Sequence, residues 1–252
     1  MHREEIFLDI MLYQDDTIAI YFGDANDQLY KDEYQTYDPA LPLLEQQKFT
    51  HLRQTMSINN LLFMNQIHSN FGIAFSGEQR SLPSFKTDGD FLITQEKALG
   101  IGIMAADCLP ILIHDTKTNA ISAVHAGWRG TVDRIVEKTI QAMHHHYETS
   151  PADLRIYFGS AAHACCYQVG DDFLEKIAHF PFSDRLIQKR NGQLFFDNLL
   201  CNRLQLEHLG VKPQHIIATY SHCTIDNHAF FSHRRAPTLS GRQMSVIALK
   251  DN

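Results

Sequence analysis

Short apolar runs outnumber long ones along this chain. Thr17–Phe22, Phe91–Thr94, Gly102–Met104, Leu109–His114, Ala120–His125, Leu154–Phe158, His215–Tyr220 and Gln243–Leu249 are rich in β-branched and aromatic residues, which predicts strands. Leu61–Phe63 and Ile73–Phe75 are shorter runs on either side of Asn65-Gln66-Ile67-His68, and Lys86–Asp90 is turn-like through Asp88-Gly89. Helical spacing takes over in three places. Val132, Ile135, Val136, Ile140 and Met143 fall on one face of a helix that Thr131 is placed to cap. A second helix runs over Asp197–Leu209, with Asp197 as cap, Leu199, Leu200 and Leu204 on one face, and Gly210 as stop. A third is predicted around Leu43–Arg53. No linker-like stretch interrupts residues 1–252, so a single α/β (α+β) domain is expected.

The densest chemistry lies in Ala105–Thr131. Asp115-Thr116-Lys117-Thr118-Asn119 has turn character and would join two strands into a hairpin. Pairing Asp115 with Ala120 sets His125 opposite Pro110, with Cys108 two residues farther along on the same face. Such diagonal neighbours lie about 7–8 Å apart and converge through their side chains. A thiolate and an imidazole so placed serve either as two ligands of one metal or as a nucleophile–base pair. A buried cysteine beside a hydrogen-bonded core histidine is the plain structural alternative. Asp107 is a candidate acid/base, although alternation points it to the other face. Gly127-Trp128-Arg129-Gly130 follows the second strand. The helix amides after Gly130, with Arg129 beside them, would form an anion site.

Composition narrows the partners. A net charge of −7 and a pI near 6.1 oppose a nucleic-acid-binding face. No apolar run approaches the ~20 residues that span a bilayer. Acidic residues precede the first apolar stretch in MHREEIFLDIML, unlike a secretory signal. Five cysteines (108, 165, 166, 201, 223) then read as reduced thiols, and a cytoplasmic location is expected. The vicinal pair Cys165-Cys166 is either packed or redox-active. His144-His145-His146 ends a helix, where cations complement the dipole. Arg234, Arg235 and Arg242 crowd together in a net acidic chain, either to bind an anion or to form surface salt bridges.

NQIHSN, TDGDFLIT, ADCLPILIHD, AVHAGWRGT, CCYQVG and CT…FFSHRR…GR occur in that order between Asn65 and Leu249. Together they resemble the laccase-domain family, also called multicopper polyphenol oxidase, YfiH-like or purine nucleoside phosphorylase LACC-type. The resemblance implies a layered α/β/β/α sandwich with mixed sheets. It also implies a metal held by His68, Cys108 and His125. The activity it implies is phosphorolysis of adenosine, inosine and S-methyl-5′-thioadenosine, with adenosine deamination beside it. Purine nucleosides and inorganic phosphate are the expected partners, and Gly127, Arg129 and Arg234 the expected substrate and phosphate contacts. Two departures stand out. Tyr21–Asp27 replaces an early Thr-Arg-x-Gly-Gly-x-Ser stretch, and His233 takes the place of the tyrosine in FFSYRR.

Three ligands with an open fourth position are the pattern of catalytic zinc, with copper as the alternative metal. Multicopper oxidase chemistry draws on repeated His-x-His pairs, and this chain has that spacing only at 144–146. A cytidine-type zinc deaminase needs Cys-x-x-Cys after its His-x-Glu. His146-Tyr147-Glu148 has no such sequel. Two other functions stay open: a metal-free Cys108–His125 hydrolase and an editing role on peptidoglycan precursors.

Overall fold

The computed structural model describes residues 11–30, 47–76, 85–238 and 240–251. Residues 1–10 and the first part of the helix expected at Leu43–Arg53 lie outside them. The strands are, in chain order, β1 (Met11–Gln14), β2 (Ile18–Phe22), β3 (Asn60–Phe63), β4 (Gly72–Ala74), β5 (Phe91–Thr94), β6 (Leu99–Ala105) and β7 (Leu109–Asp115). They continue with β8 (Ile121–Ala126), β9 (Leu154–Phe158), β10 (Gln168–Val169), β11 (Ile187–Arg190), β12 (Gln193–Phe196), β13 (Ile216–Ile217) and β14 (Gln243–Leu249). The α-helices are α1 (Gln47–Met56), α2 (Trp128–Val132), α3 (Ile135–Tyr147), α4 (Phe173–Ile177) and α5 (Asn198–His208).

Two mixed sheets pack face to face. One has the order β1-β2-β14-β6-β3, the other β13-β9-β7-β8-β5-β4. Alternation along each strand decides what faces what. Leu112 and Ala123 of the second sheet meet Ile18, Ile20, Ile101, Ile103 and Ile247 of the first in one buried layer. Leu109, Ile111, Ile113 and Val124 point the other way, onto Ile135, Val136, Ile140 and Met143 of α3 and Leu206 of α5. Val246, Ala248 and Met104 of the first sheet turn outward onto Phe49, Leu52 and Met56 of α1. The result is the expected α/β/β/α sandwich. A three-stranded ribbon, β10-β12-β11, packs with α4 and α5 around Phe173, Ile177, Phe196 and Leu204.

Phe91–Thr94, Leu154–Phe158 and Gln243–Leu249 keep their expected bounds, and the run at Gly102–Met104 lengthens to Leu99–Ala105. β1 and β10–β12 carry no sequence expectation. The hairpin register agrees: Pro110 lies opposite His125. Two further expectations change more. Thr131 does not cap the long helix. It lies inside α2, buried, with its hydroxyl accepting from Asn202 Nδ2 at 2.9 Å. Arg134 adopts a left-handed conformation (φ 61°) before α3 begins at Ile135. The one apolar stripe therefore divides between two helices. Ile135, Val136, Ile140 and Met143 of α3 pack on the second sheet and Leu206 of α5, whereas Val132 of α2 packs against the cluster of Phe173, Phe196 and Leu204. The strand expected over His215–Tyr220 contracts to Ile216–Ile217, preceded by a 3-10 turn at Pro213–His215. The Ser221 amide donates back to Ala218 O and turns the chain away from the sheet. Asp197 caps α5 as expected, accepting from the Leu200 amide at 2.8 Å, and Gly210 follows it at φ +100°.

Candidate metal centre and cleft

Two of the chain's passages between the sheets, both at the same end of the sandwich, carry the donors of the site. From β3 to β4 the chain carries Gln66 and His68; from β6 to β7 it carries Asp107 and Cys108. Gln66 ties the first passage to β6: its Nε2 donates to Met104 O at 2.7 Å and its Oε1 accepts from the Met104 amide at 2.8 Å. The side-chain amide thus stands in for a missing strand partner. From the opposite side, Asp90, fully buried just before β5, collects the amides of Ile67 (3.3 Å), His68 (3.0 Å) and Ser69 (2.6 Å) and the Ser69 hydroxyl (2.7 Å). His68, held at φ 61°, is aimed by this network.

The same carboxylate receives His125 Nδ1 at 2.8 Å, which leaves Nε2 to face Cys108. Cys108 is hydrogen-bonded by both His125 and His68. The ligand atoms of His68, Cys108 and His125 all lie within 4.8 Å of one another, and the two imidazoles meet edge to face at 4.9 Å. Gly127 completes the cradle. A Cβ there would come within 3.1 Å of Cys108 Sγ and 3.1 Å of His68 Cδ2, so a larger residue would occupy the space between the donors.

Electrostatics make the pair ionic. Burial opposes charge on Cys108, yet the charge and hydrogen bond of His125, with His68 assisting, bring its thiol down to about 6. Burial likewise opposes charge on His125, but the Cys108 thiolate and Asp90 lift it to about 9. Asp90, despite its own burial, is held below the usual carboxylate range by His125 and Ser69. A group with a lowered pKa is charged above its folded value, so Cys108 in metal-free protein is a thiolate from about pH 6 upward. Alkylation of Cys108 by iodoacetamide in chelator-treated protein, followed by peptide mass spectrometry, should therefore be half-maximal near pH 6. His125→Gln should move that midpoint up toward the ordinary thiol range. A wild-type midpoint near 9 would contradict the pairing.

The donor triangle forms the floor of a cleft of about 590 Å³. Met64, Phe85 and Met104 make an apolar wall, and Arg129, Arg234 and Arg242 bring positive charge. Arg129 lies over the Trp128 ring (4.7 Å) and Arg234 over the Tyr167 ring (5.3 Å). Trp128 is itself braced edge-on against Phe173 of α4 at 5.5 Å.

The sequence-derived candidates His68, Cys108, His125, Asp107, Arg129 and Arg234 line this one cleft. Alternation fails for Asp107 because it sits between strands at φ 86° and so shares the cleft with Cys108. Its Oδ1 accepts from Thr224 Oγ1 at 2.6 Å and its Oδ2 from the Arg234 amide at 2.7 Å. Arg235 turns inward instead, donating to Thr224 O and Ile225 O at 2.7 and 3.0 Å; it pins the loop and does not face an anion. The amides near Arg129 belong to the start of α2 at Trp128, not to the long helix after Gly130. Sequence reasoning gave no role to Asp90, Gln66 or Tyr167. An acid directly before a buried strand, the second of Asp88-Gly89-Asp90, was the available signal for Asp90.

Sandwich topology and a Cys–His–His triangle at the sheet passages define a layered α/β/β/α protein with a candidate metal centre. Residues 43–250 match the multi-copper polyphenol oxidoreductase laccase family, and the chain belongs to it. A purine nucleoside phosphorylase of Clostridium acetobutylicum is 27% identical over 239 residues, covering 94% of each chain. One from Aquifex aeolicus is 36% identical over 162 residues, covering 64% of this chain and 72% of its own. Adenosine deaminase RL5, from an unknown prokaryotic organism, is 29% identical over 222 residues, covering 84% of both. In fold, the chain is similar to Bacillus licheniformis hypothetical protein YfiH, with a TM-score of 0.76, 24% identity, and coverage of 92% and 93%. Among the described residues, no helix is long and apolar enough to cross a membrane.

Proposed function

We propose that the cleft is the active site of a zinc-dependent purine nucleoside phosphorylase that also deaminates adenosine. The carrying observation is the donor triangle at the floor of a cleft whose walls hold two arginines on aromatic rings. The names of the relatives from Clostridium acetobutylicum and Aquifex aeolicus support the phosphorylase, and that of RL5 the deaminase.

The donor set suits a metal: a preformed thiolate, an imidazole with its far nitrogen fixed by a carboxylate, and a glycine that keeps the centre open. His68, Cys108 and His125 would hold it, and three protein ligands with an open fourth position favour zinc. When bound, zinc supplies Lewis acidity there. Copper remains the alternative that the family description carries. Against polyphenol oxidation stands the donor supply: among the described residues the only other ligand group is Cys165, Cys166 and Cys223.

In phosphorolysis a phosphate oxygen bonds to C1′ of the ribose as the C1′–N9 bond breaks, and the departing purine takes up a proton. Arg129 and the first amides of α2 are placed to hold the phosphate, with Gly127 giving it close approach. The apolar wall accepts the base. Asp107, occupied at both oxygens, acts by fixing the backbone of Arg234, which closes the opposite wall. Adenosine, inosine and S-methyl-5′-thioadenosine share the ribose and purine that this division of the cleft serves.

Purified protein incubated with adenosine should release adenine and ribose 1-phosphate only when phosphate is present, with inosine as the deamination product in its absence. Arg129→Gln should raise the KM for phosphate about 10- to 100-fold, the loss of a charged hydrogen bond of about 1.5–3 kcal/mol. Unchanged phosphate dependence would remove Arg129 from this role, and no turnover of any nucleoside would overturn the reading.

A second reading has its own observation. Cys108, His125 and Asp90 run in line as thiolate, imidazolium and carboxylate, the order of a cysteine hydrolase. His68 separates the two. A metal-free hydrolase would survive His68→Ala, whereas the phosphorylase would not. A peptidoglycan-precursor nucleotide would be a further occupant of the same cleft, tested by turnover of that nucleotide.

A further inference from the structure

A second set of donors converges outside the cleft. The sulfurs of Cys165, Cys166 and Cys223 lie within 4.8 Å of one another, and all three are free thiols. They come from two backbone segments fastened together. Cys165 and Cys166 sit in a turn after β9, where the amides of Cys166 and Tyr167 both donate to His163 O at 2.9 Å. Arg190 clamps that turn, donating to Ala164 O at 2.6 Å and Cys165 O at 2.9 Å. Cys223 arrives from the segment after β13 and pairs with Ala161 as a parallel bridge. The Ala161 amide donates to His222 O at 3.0 Å and the Thr224 amide to Ala161 O at 2.9 Å. Convergence is thus set by the backbone, not by chance side-chain rotation.

The surroundings of Cys223 favour the charged form of its sulfur. Backbone N–H groups of His163, Ile225 and Asp226 point at its sulfur. Burial works against the charge, but these donors and the Cys165 thiol hold Cys223 below its ordinary range. Cys165 is pushed up to about 12 by burial and by its bonds to Cys223 and Cys166. A soft cation taking the place of the thiol protons would be held by all three converging sulfurs at once. Cys165 is exposed and its partners half-buried, which leaves an ion free to reach them.

We propose that Cys165, Cys166 and Cys223 form a second metal site, in which three thiolates bind one thiophilic d10 cation, Cu(I) or Zn(II). Soft sulfur donors select such ions over harder ones. Cu(I) would be satisfied by the three sulfurs alone, whereas Zn(II) would keep a water as its fourth ligand. Binding would join the turn before Tyr167 to the loop whose Thr224 hydroxyl donates to Asp107, so the site would brace two walls of the cleft from behind. It is independent of whether the cleft is a phosphorylase.

The test uses the full chain, reduced and stripped of metal, titrated separately with Zn(II) and with Cu(I) against a competing chelator. Cys108→Ala, which removes a ligand of the first site, should retain one equivalent, and adding Cys223→Ser should abolish it. Cys165→Ser, at the surface and so least prone to disturb folding, should weaken that equivalent about 10- to 100-fold or more, the scale set by losing a supporting contact alone. Preference between the two titrations identifies the ion. Retention of no metal by Cys108→Ala, or full retention by Cys108→Ala/Cys223→Ser, overturns the proposal. So does a count of three thiols instead of five in protein denatured without reductant, since the cluster would then be a disulfide.

Discussion

Cys108→Ala should leave a folded protein with strongly reduced phosphorolysis and no metal at the cleft floor. The thiolate is the one anionic donor of the three, and it also supplies the charge that raises His125. Without it, two imidazoles remain, and His125 keeps only Asp90 as its anionic partner. If the bound metal contributes about 4 kcal/mol of transition-state stabilisation, kcat/KM falls about 10³-fold. Cys108 is half-buried at the cleft floor, so stability should change by only about 1 kcal/mol. Metal content by atomic emission and adenine release by chromatography check the two effects together. Wild-type turnover in the metal-free variant would defeat the metal and hydrolase readings alike.

Asp90→Ala should cost stability as well as activity. Asp90 is fully buried and accepts from three consecutive amides, a hydroxyl and His125. Removing it strands those donors and takes from His125 one of its two anionic partners, a loss of about 3–5 kcal/mol. For a chain of this size, that lowers Tm by roughly 10 °C. Metal affinity should also drop about 10- to 100-fold, since the carboxylate orients one ligand directly and another through its backbone. Asp90→Asn retains the volume but turns an NH2 group toward amide donors, so it should rescue little. Differential scanning calorimetry and metal titration read the two losses, and a Tm within a degree or two of wild type would contradict the role.

Legibility followed locality. Strands with dense β-branched sequence, such as Gln243–Leu249 and Phe91–Thr94, have the bounds their patterns predict. The β7–β8 hairpin was legible to the residue because five turn residues fix one register. His68 was different. No periodicity links it to Cys108 and His125, and only resemblance to a family put it there. Its position depends on Gln66 reaching β6 and on Asp90 reaching back from β5, contacts between segments far apart in sequence. The break between α2 and α3 was hidden for another reason. Both helices use one apolar stripe, so the pattern runs on across the left-handed Arg134. Asp107 was read by strand alternation, a rule that lapses where the chain leaves one sheet for the other.

The two passages between sheets also bear on how this protein reaches its working form. Cys108 and His125 can meet as soon as one hairpin closes, a local event. His68 joins them only after β3 has paired with β6 and β4 with β5, the slower closure of longer loops. A complete donor triangle therefore exists only in chains whose two sheets have both assembled in register. On the proposed reading, capture of an ion would belong to the end of folding, and it would favour the finished sandwich over every partly built one.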